Sequence, residues 1–257
     1  MKTVLALGAV LMIAVDALVG MRLLWVARRS RRLPEALLGS AFLLLGVLGY
    51  PLTTAARRGA FGSGAADAAA MGAGLLVQDV ACLAVYLFTA RTFRAGEPWA
   101  RVLVWVAGAA FVASLAGHAV SDGFAPGSRS AGYWLGFATR TLAFAWACAE
   151  ALRQYRSATR RLRLGLVDPL VANRFLIYAI GMGGVFAAFA IHFLGLILTP
   201  NAAESIWVLA GTGAVGVVTA IPTWLAFMPP AAYRRWVVAR AETTAPADAA
   251  PQPLAPR

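Results

Sequence analysis

Apolar runs the length of a bilayer crossing recur along the chain, separated by short polar segments rich in arginine. A transmembrane helix needs about 20 predominantly apolar residues. Runs of that kind extend roughly over 4–26, 35–55, 70–90, 101–121, 131–153, 171–198 and 204–228. The pattern predicts an all-α fold, a polytopic bundle of seven transmembrane helices within residues 1–236. A disordered cytoplasmic tail is expected over 237–257, where alanine, proline and threonine dominate. The second run is the least regular, because Glu35 opens it and Tyr50-Pro51 should bend or end it. The first run passes Val15-Asp16-Ala17, which resembles a signal-peptide cleavage site. It then continues to Val26 and stops at Arg28-Arg29-Ser30-Arg31-Arg32, a stop-transfer pattern, and so reads as a span. Asp168-Pro169 supplies a helix start, a capping carboxylate followed by proline at the first helical position. Pro229-Pro230 should end the last span, and Tyr233-Arg234-Arg235-Trp236 should anchor it at the interface.

Charge turns this pattern into a topology. The chain is 60% hydrophobic and 13% charged, far from the balance of a soluble domain. Its 23 basic and 11 acidic residues leave a formal charge of +12. The positives sit in short clusters between apolar runs, with no basic-and-aromatic stripe of the kind that grips nucleic acid, so a nucleic-acid partner is not expected. Short loops rich in arginine stay cytoplasmic. Seventeen basic residues fall on one side of the seven-span arrangement and four on the other, with Arg22 and Arg140 inside spans. An odd number of spans therefore puts the N-terminus outside and the C-terminus inside. Arg156, Arg160, Arg161 and Arg163 form a cytoplasmic basic patch suited to anionic lipid headgroups or to an acidic cytoplasmic protein. The alanine- and arginine-rich usage has a bacterial cast, and the expected location is a bacterial inner membrane, crossed several times.

A charge near the bilayer centre costs about 2.5–3.5 kcal/mol on insertion scales, so polar side chains within spans should face the bundle and find partners. Asp16, Asp79, His118, Arg140 and His192 are the candidates, all in the outer half of the predicted bundle. Gly72, Asp79, Cys82 and Tyr86 share one face of the third helix, and Tyr133, Gly136, Arg140 and Ala147 share one of the fifth. The sharpest expectation is an ion pair between Asp79 and Arg140, with Asp16, His192 and His118 nearby, forming a ligand or proton site. On the sixth helix, Gly181, Gly184, Ala188, His192, Gly195 and Thr199 lie on a face built for close helix contact. Thr212, Gly216 and Ala220 should form the matching strip on the seventh. Pro222 should kink that helix, with Thr219 and Thr223 able to satisfy the freed carbonyl. Glu150 and Glu204 read as interfacial, and Cys82 and Cys148 as small apolar thiols.

Chemistry narrows the functions less than topology does. There is no His-Glu-x-x-His spacing and no serine elbow, which argues against an enzyme and against a bound metal. No cofactor is expected. Two histidines on different helices are a weak basis for haem. The layout resembles that of rhodopsins and seven-helix receptors, but retinal requires a Schiff-base lysine and Ser205 to Met228 contains none. The leading expectation is a sensor or signalling-type membrane protein with an ionic pocket in its outer half. A small proton-coupled transporter and a structural or assembly protein, whose ion pair merely locks the packing, remain as alternatives.

Overall fold

The computed structural model describes residues 2–198 and 206–244, and all regular structure among them is helical. The helices are α1 (Lys2–Ser30), α2 (Leu33–Phe42), a π-helical turn (Leu43–Gly49), α3 (Tyr50–Arg57), α4 (Gly64–Phe93), α5 (Pro98–Ser121), α6 (Ala131–Leu162), α7 (Pro169–Leu198), α8 (Ile206–Phe227) and α9 (Ala231–Thr244). Their starts follow the sequence chemistry. Ser63 and Ser130 accept hydrogen bonds from the Ala66 and Tyr133 amides at the heads of α4 and α6. Asp168 caps α7 as expected, its Oδ1 accepting from the Leu170 amide at 2.8 Å, ahead of Pro169.

Six helical segments are long and apolar enough to cross a membrane, which makes the chain a multi-pass membrane protein by composition. The expected fifth span, 131–153, falls in α6 and is not among the six. α6 is 32 residues long, but it carries Arg140, Glu150 and Arg153 and is the less apolar for it. It nevertheless packs between α5 and α7 as an ordinary member of the bundle. From α3 to α8 each helix packs on the next, α1 packs on α2, α4 also meets α6, α9 meets α7, and α8 returns to α1 and closes the ring. Large apolar side chains point outward all round, Trp105 and Val120 on α5 being 80% and 90% exposed. That is the distribution of a helix set solvated by hydrocarbon.

Two irregularities differ from the sequence expectation. Of the two outcomes expected at Tyr50-Pro51, a bend or an end, the helix does not end; it widens into the π turn just before and continues to Arg57. Proline has no N–H and its ring collides with the carbonyl four residues back. Widening relieves both conflicts, and the Tyr50 amide bonds to Leu45 O, five residues away. Gly49 O, at the end of the turn, accepts from Thr53 Oγ1 and from Gln78 Nε2 of α4, each at 3.0 Å. At the other end of the chain, Pro229-Pro230 breaks the helix as expected, but α9 then occupies residues 231–244, so the tail predicted from 237 begins as helix. Glu204, Thr199 and the tail beyond Thr244 lie outside the described residues.

The α7–α8 seam uses the predicted glycines against a different strip. A Cβ at Gly181 would come within 2.9 Å of Thr223 Oγ1, and one at Gly184 would run into Thr219 Cγ2. The α8 residues facing Gly181 and Gly184 are therefore Thr223 and Thr219, which the predicted strip of Thr212, Gly216 and Ala220 did not include. Residues four apart drift around a helix by about 40° per step. Gly216 accordingly turns toward Met12 of α1, whose Sδ lies 3.3 Å from its would-be Cβ. Ala220 is buried, and Thr212 bonds its own backbone at Val208 O. Thr219 likewise bonds Val215 O and Gly216 O rather than the Val218 carbonyl that Pro222 frees.

Candidate functional site

The densest set of buried polar side chains lies where α4, α5 and α6 meet. Arg140 Nε donates to Asp79 Oδ1 at 2.7 Å, with the two side chains 5% and 3% exposed. The ion pair expected from sequence is thus present, carried on the faces that also bury Cys82 and Tyr86 on α4 and Tyr133, Gly136 and Ala147 on α6. Small residues make room for it. A Cβ at Gly136, one turn before Arg140, would strike Ser114 Oγ and stand 3.1 Å from Arg140 Nη2. One further turn back, Gly132 lies so close to α5 that a Cβ would be 2.6 Å from Ser114 O and 2.8 Å from His118 N. Ser114 Oγ donates to Gly132 O at 2.8 Å and ties the crossing together.

His118 closes the cluster at its loop end. Its ring is buried, stacked on Phe124 at 5.7 Å between centroids, and Nδ1 lies 3.1 Å from both oxygens of Asp122. Asp122 also accepts from the Phe124 amide at 2.9 Å and from Ser128 Oγ at 2.6 Å. Phe124 adopts a left-handed φ of 63°, uncommon for a bulky residue and compensated here by that stacking and that amide bond. Partial burial pushes the Asp122 carboxyl up, but hydrogen bonds from Ser128, Ser130 and His118, with the attraction of the histidine, outweigh it and hold the group down at about 2. On the interior side, three buried atoms have no hydrogen-bond partner among the described residues: Asp79 Oδ2, Arg140 Nη2 and His118 Nε2. Comparison with protein-family models, curated proteins and solved structures finds no match.

Asp16 and His192 stand apart from this cluster. The Asp16 carboxylate packs against Gly46 in the π turn, where a Cβ on Gly46 would occupy its place, and it has no hydrogen bond or ion pair among the described residues. His192 packs its ring on Phe137, 6.0 Å between centroids, among the aromatic side chains joining α6 to α7. Of the five polar residues picked out by depth, the fold brings three together.

A second ion pair joins the same two helices farther along. Arg94 Nη2 lies 2.7 Å from Glu150 Oε1, and both groups are largely buried. Glu150 is therefore buried in the bundle and paired, at the level of the α4–α5 connection where Arg94 ends α4, while α6 continues as helix to Leu162. Tyr86 fills the seam between the two pairs, its hydroxyl donating to Thr139 O at 2.9 Å and its ring against Trp146. Sequence reasoning missed Ser114, Asp122, Gln78 and the Arg94–Glu150 pair. The run Ser114, His118, Asp122 is spaced four apart, which was the available signal for one helix face. Arg156, Arg160 and Arg161 are exposed on the last turns of α6, and Arg163 follows directly.

Proposed function

We propose that the chain is a seven-pass membrane sensor of the bacterial inner membrane type, in which the Asp79–Arg140–His118 cluster receives a signal and α6 carries it across. α6 supplies the remaining crossing, the N-terminus lies outside, and the end of the bundle bearing α9 is cytoplasmic. Pairing with Asp79 offsets most of what makes α6 too polar to span on composition. The arginine imbalance supports the orientation. Arg29 over Trp25, Arg94 over Trp99 and Arg240 over Trp236 add interfacial cation–π pairs at that same end.

The observation that carries the sensing role is the continuity of α6. One unbroken helix bears Arg140 in the cluster and Arg156, Arg160 and Arg161 beyond the bundle. At 1.5 Å per residue, Arg140 and Arg161 are about 31 Å apart on a single rigid body. Any rearrangement of the Asp79 contact therefore displaces the basic patch, where anionic headgroups or an acidic cytoplasmic protein would read it. The test is a spin-label distance between Arg91→Cys on α4 and Arg160→Cys on α6, in a Cys148→Ala background, with the protein in nanodiscs. Asp79→Asn should change that distance by several ångström while the protein stays monodisperse. An unchanged distance would reduce the pair to a packing lock.

Asp16 favours a second reading, a small proton-coupled transporter, because an acid without an ion-pair partner beside a π turn is suited to loading and unloading a cation or proton. Proton flux in proteoliposomes that Asp16→Asn abolishes would select the transporter.

A further inference from the structure

α9 packs on α7 and on no other helix among the described residues. Asn173 Nδ2 of α7 donates to the Tyr233 hydroxyl at 2.7 Å, and Val237, one turn farther along α9, is buried. This contact falls where α7 leaves the apolar layer. α8 ends at Phe227, whose ring meets Tyr178 of α7, and Asn173 lies five residues, about 8 Å, nearer the start of that helix. Asn173-Arg174 is also the polar pair that precedes the apolar run from Phe175. A helix of 14 residues is marginal in water without a packed face. α9 nevertheless leaves Trp236 52% exposed, with Tyr233 stacked against its ring and Arg240 over it. An exposed tryptophan among arginines is best solvated in the headgroup layer, which accepts the ring and pairs with the charges.

Between α9 and the head of α7 runs an open groove of about 500 Å³. Leu170, Ala231, Val238 and Ala239 make its lining largely apolar, and Arg234 and Arg235 supply the charge. Ala231 and Val238 are two turns apart on one face of α9, and the two arginines flank that face on opposite sides. Neither guanidinium takes part in an ion pair among the described residues. Asp168 already accepts from the Leu170 amide, so the head of α7 is capped and the arginines alone make the groove attractive to an anion. We propose that this groove binds the headgroup of an anionic glycerophospholipid of the inner leaflet. The arginine forks take the phosphate oxygens, and the glycerol and first methylenes lie on Leu170 and Val238. An acidic peptide or a free phosphate would match the charge but leave the apolar lining wet. The bound lipid gives α9 its second contact and clamps it to the head of α7. The lipid site rests on the reading above only for its leaflet.

Native mass spectrometry of the full chain, released from nanodiscs of phosphatidylglycerol and phosphatidylcholine in equal amounts, should show phosphatidylglycerol preferentially retained. Arg234→Gln with Arg235→Gln, both at exposed positions and keeping most of the apolar stem, should reduce that preference by about tenfold. Arg91→Gln with Arg101→Gln removes the same charge at the same end of the bundle and should leave it unchanged. No preference in the unsubstituted chain, or an equal loss in both double variants, overturns the proposal. Displacement of the lipid by millimolar inorganic phosphate also overturns it and assigns the groove to a soluble anion. A photoreactive label on Val238→Cys, in a Cys148→Ala background in intact cells, should attach to lipid. Attachment to a second copy of the chain, or to an acidic protein, in place of lipid is equally fatal. Retention in nanodiscs does not depend on sidedness, because both leaflets have the same composition. Cysteine labelling that places α9 outside would therefore overturn the orientation and leave the lipid site standing, and lost preference with α9 inside would do the reverse.

Discussion

Removing one member of a buried ion pair costs more than the pair itself contributes, because the survivor stays charged in a medium that cannot solvate it. Asp79→Leu or Arg140→Leu alone should therefore lower stability by about 3–5 kcal/mol, measured as unfolding of the detergent-solubilised protein. The exchange Asp79→Arg with Arg140→Asp should recover much of that loss, since the opposed charges meet again at the same depth. No recovery would show that the geometry around Gly136 and Ser114, not the charge pairing, holds the site. Asp122 behaves differently, lying in the loop that follows α5, where it is partly buried. Its carboxyl is held down at about 2, below the ordinary carboxylate value of about 3.9. A group depressed in the folded state contributes stability above its unfolded pKa and loses it as the pH falls through its folded one. The Asp122–Phe124 loop should therefore be ordered above about pH 4 and loosen as the pH falls toward about 2. Amide exchange at Phe124 would follow it, and Asp122→Asn should produce the loosened loop at neutral pH.

At the scale of elements, close approach and wide turns set the tolerances. Gly184 lies directly against Thr219 and Gly132 against the α5 backbone. Valine at either position must push the helices apart, and overpacking of this kind costs about 1–3 kcal/mol. Gly184→Val should act on the α7–α8 seam alone and leave the His118 resonances in place, whereas Gly132→Val should shift them. Gln78→Leu would remove a donor from Gly49 O, and a lower thermal midpoint with a rearranged π turn is the expected outcome. How far the sequence revealed these features depended on their range. The helix start at Asp168 is local chemistry, legible because the capping side chain is adjacent in sequence to the amide it serves. The Asp79–Arg140 pair was legible because equal depth and opposite charge leave few arrangements in hydrocarbon. Gln78 bonding to Gly49, the departure of Asp16 and His192 from the cluster, and the Thr219–Thr223 strip were not. Each depends on how far one helix is rotated about its axis relative to the next, and a polar position fixes depth far better than rotation.

For the whole molecule, the alternation of basic and neutral ends predicts which residues a membrane-impermeant reagent can reach. Cysteine placed at Ser128 should be labelled from outside intact cells and cysteine at Arg163 only after permeabilisation; the opposite result would invert the proposed orientation. The low apolarity of α6 also has a consequence for how the protein is made. A helix carrying Arg140 partitions poorly into lipid by itself, yet by the time it leaves the ribosome, Asp79 on α4 has already been synthesised. Its arrival in the bilayer is then a docking event onto a preceding helix and not an independent insertion. In Asp79→Leu, α6 should stall at the translocon while α1 to α5 are inserted normally. A smaller share of that chain should then reach the membrane folded, and quality-control proteases would remove the rest.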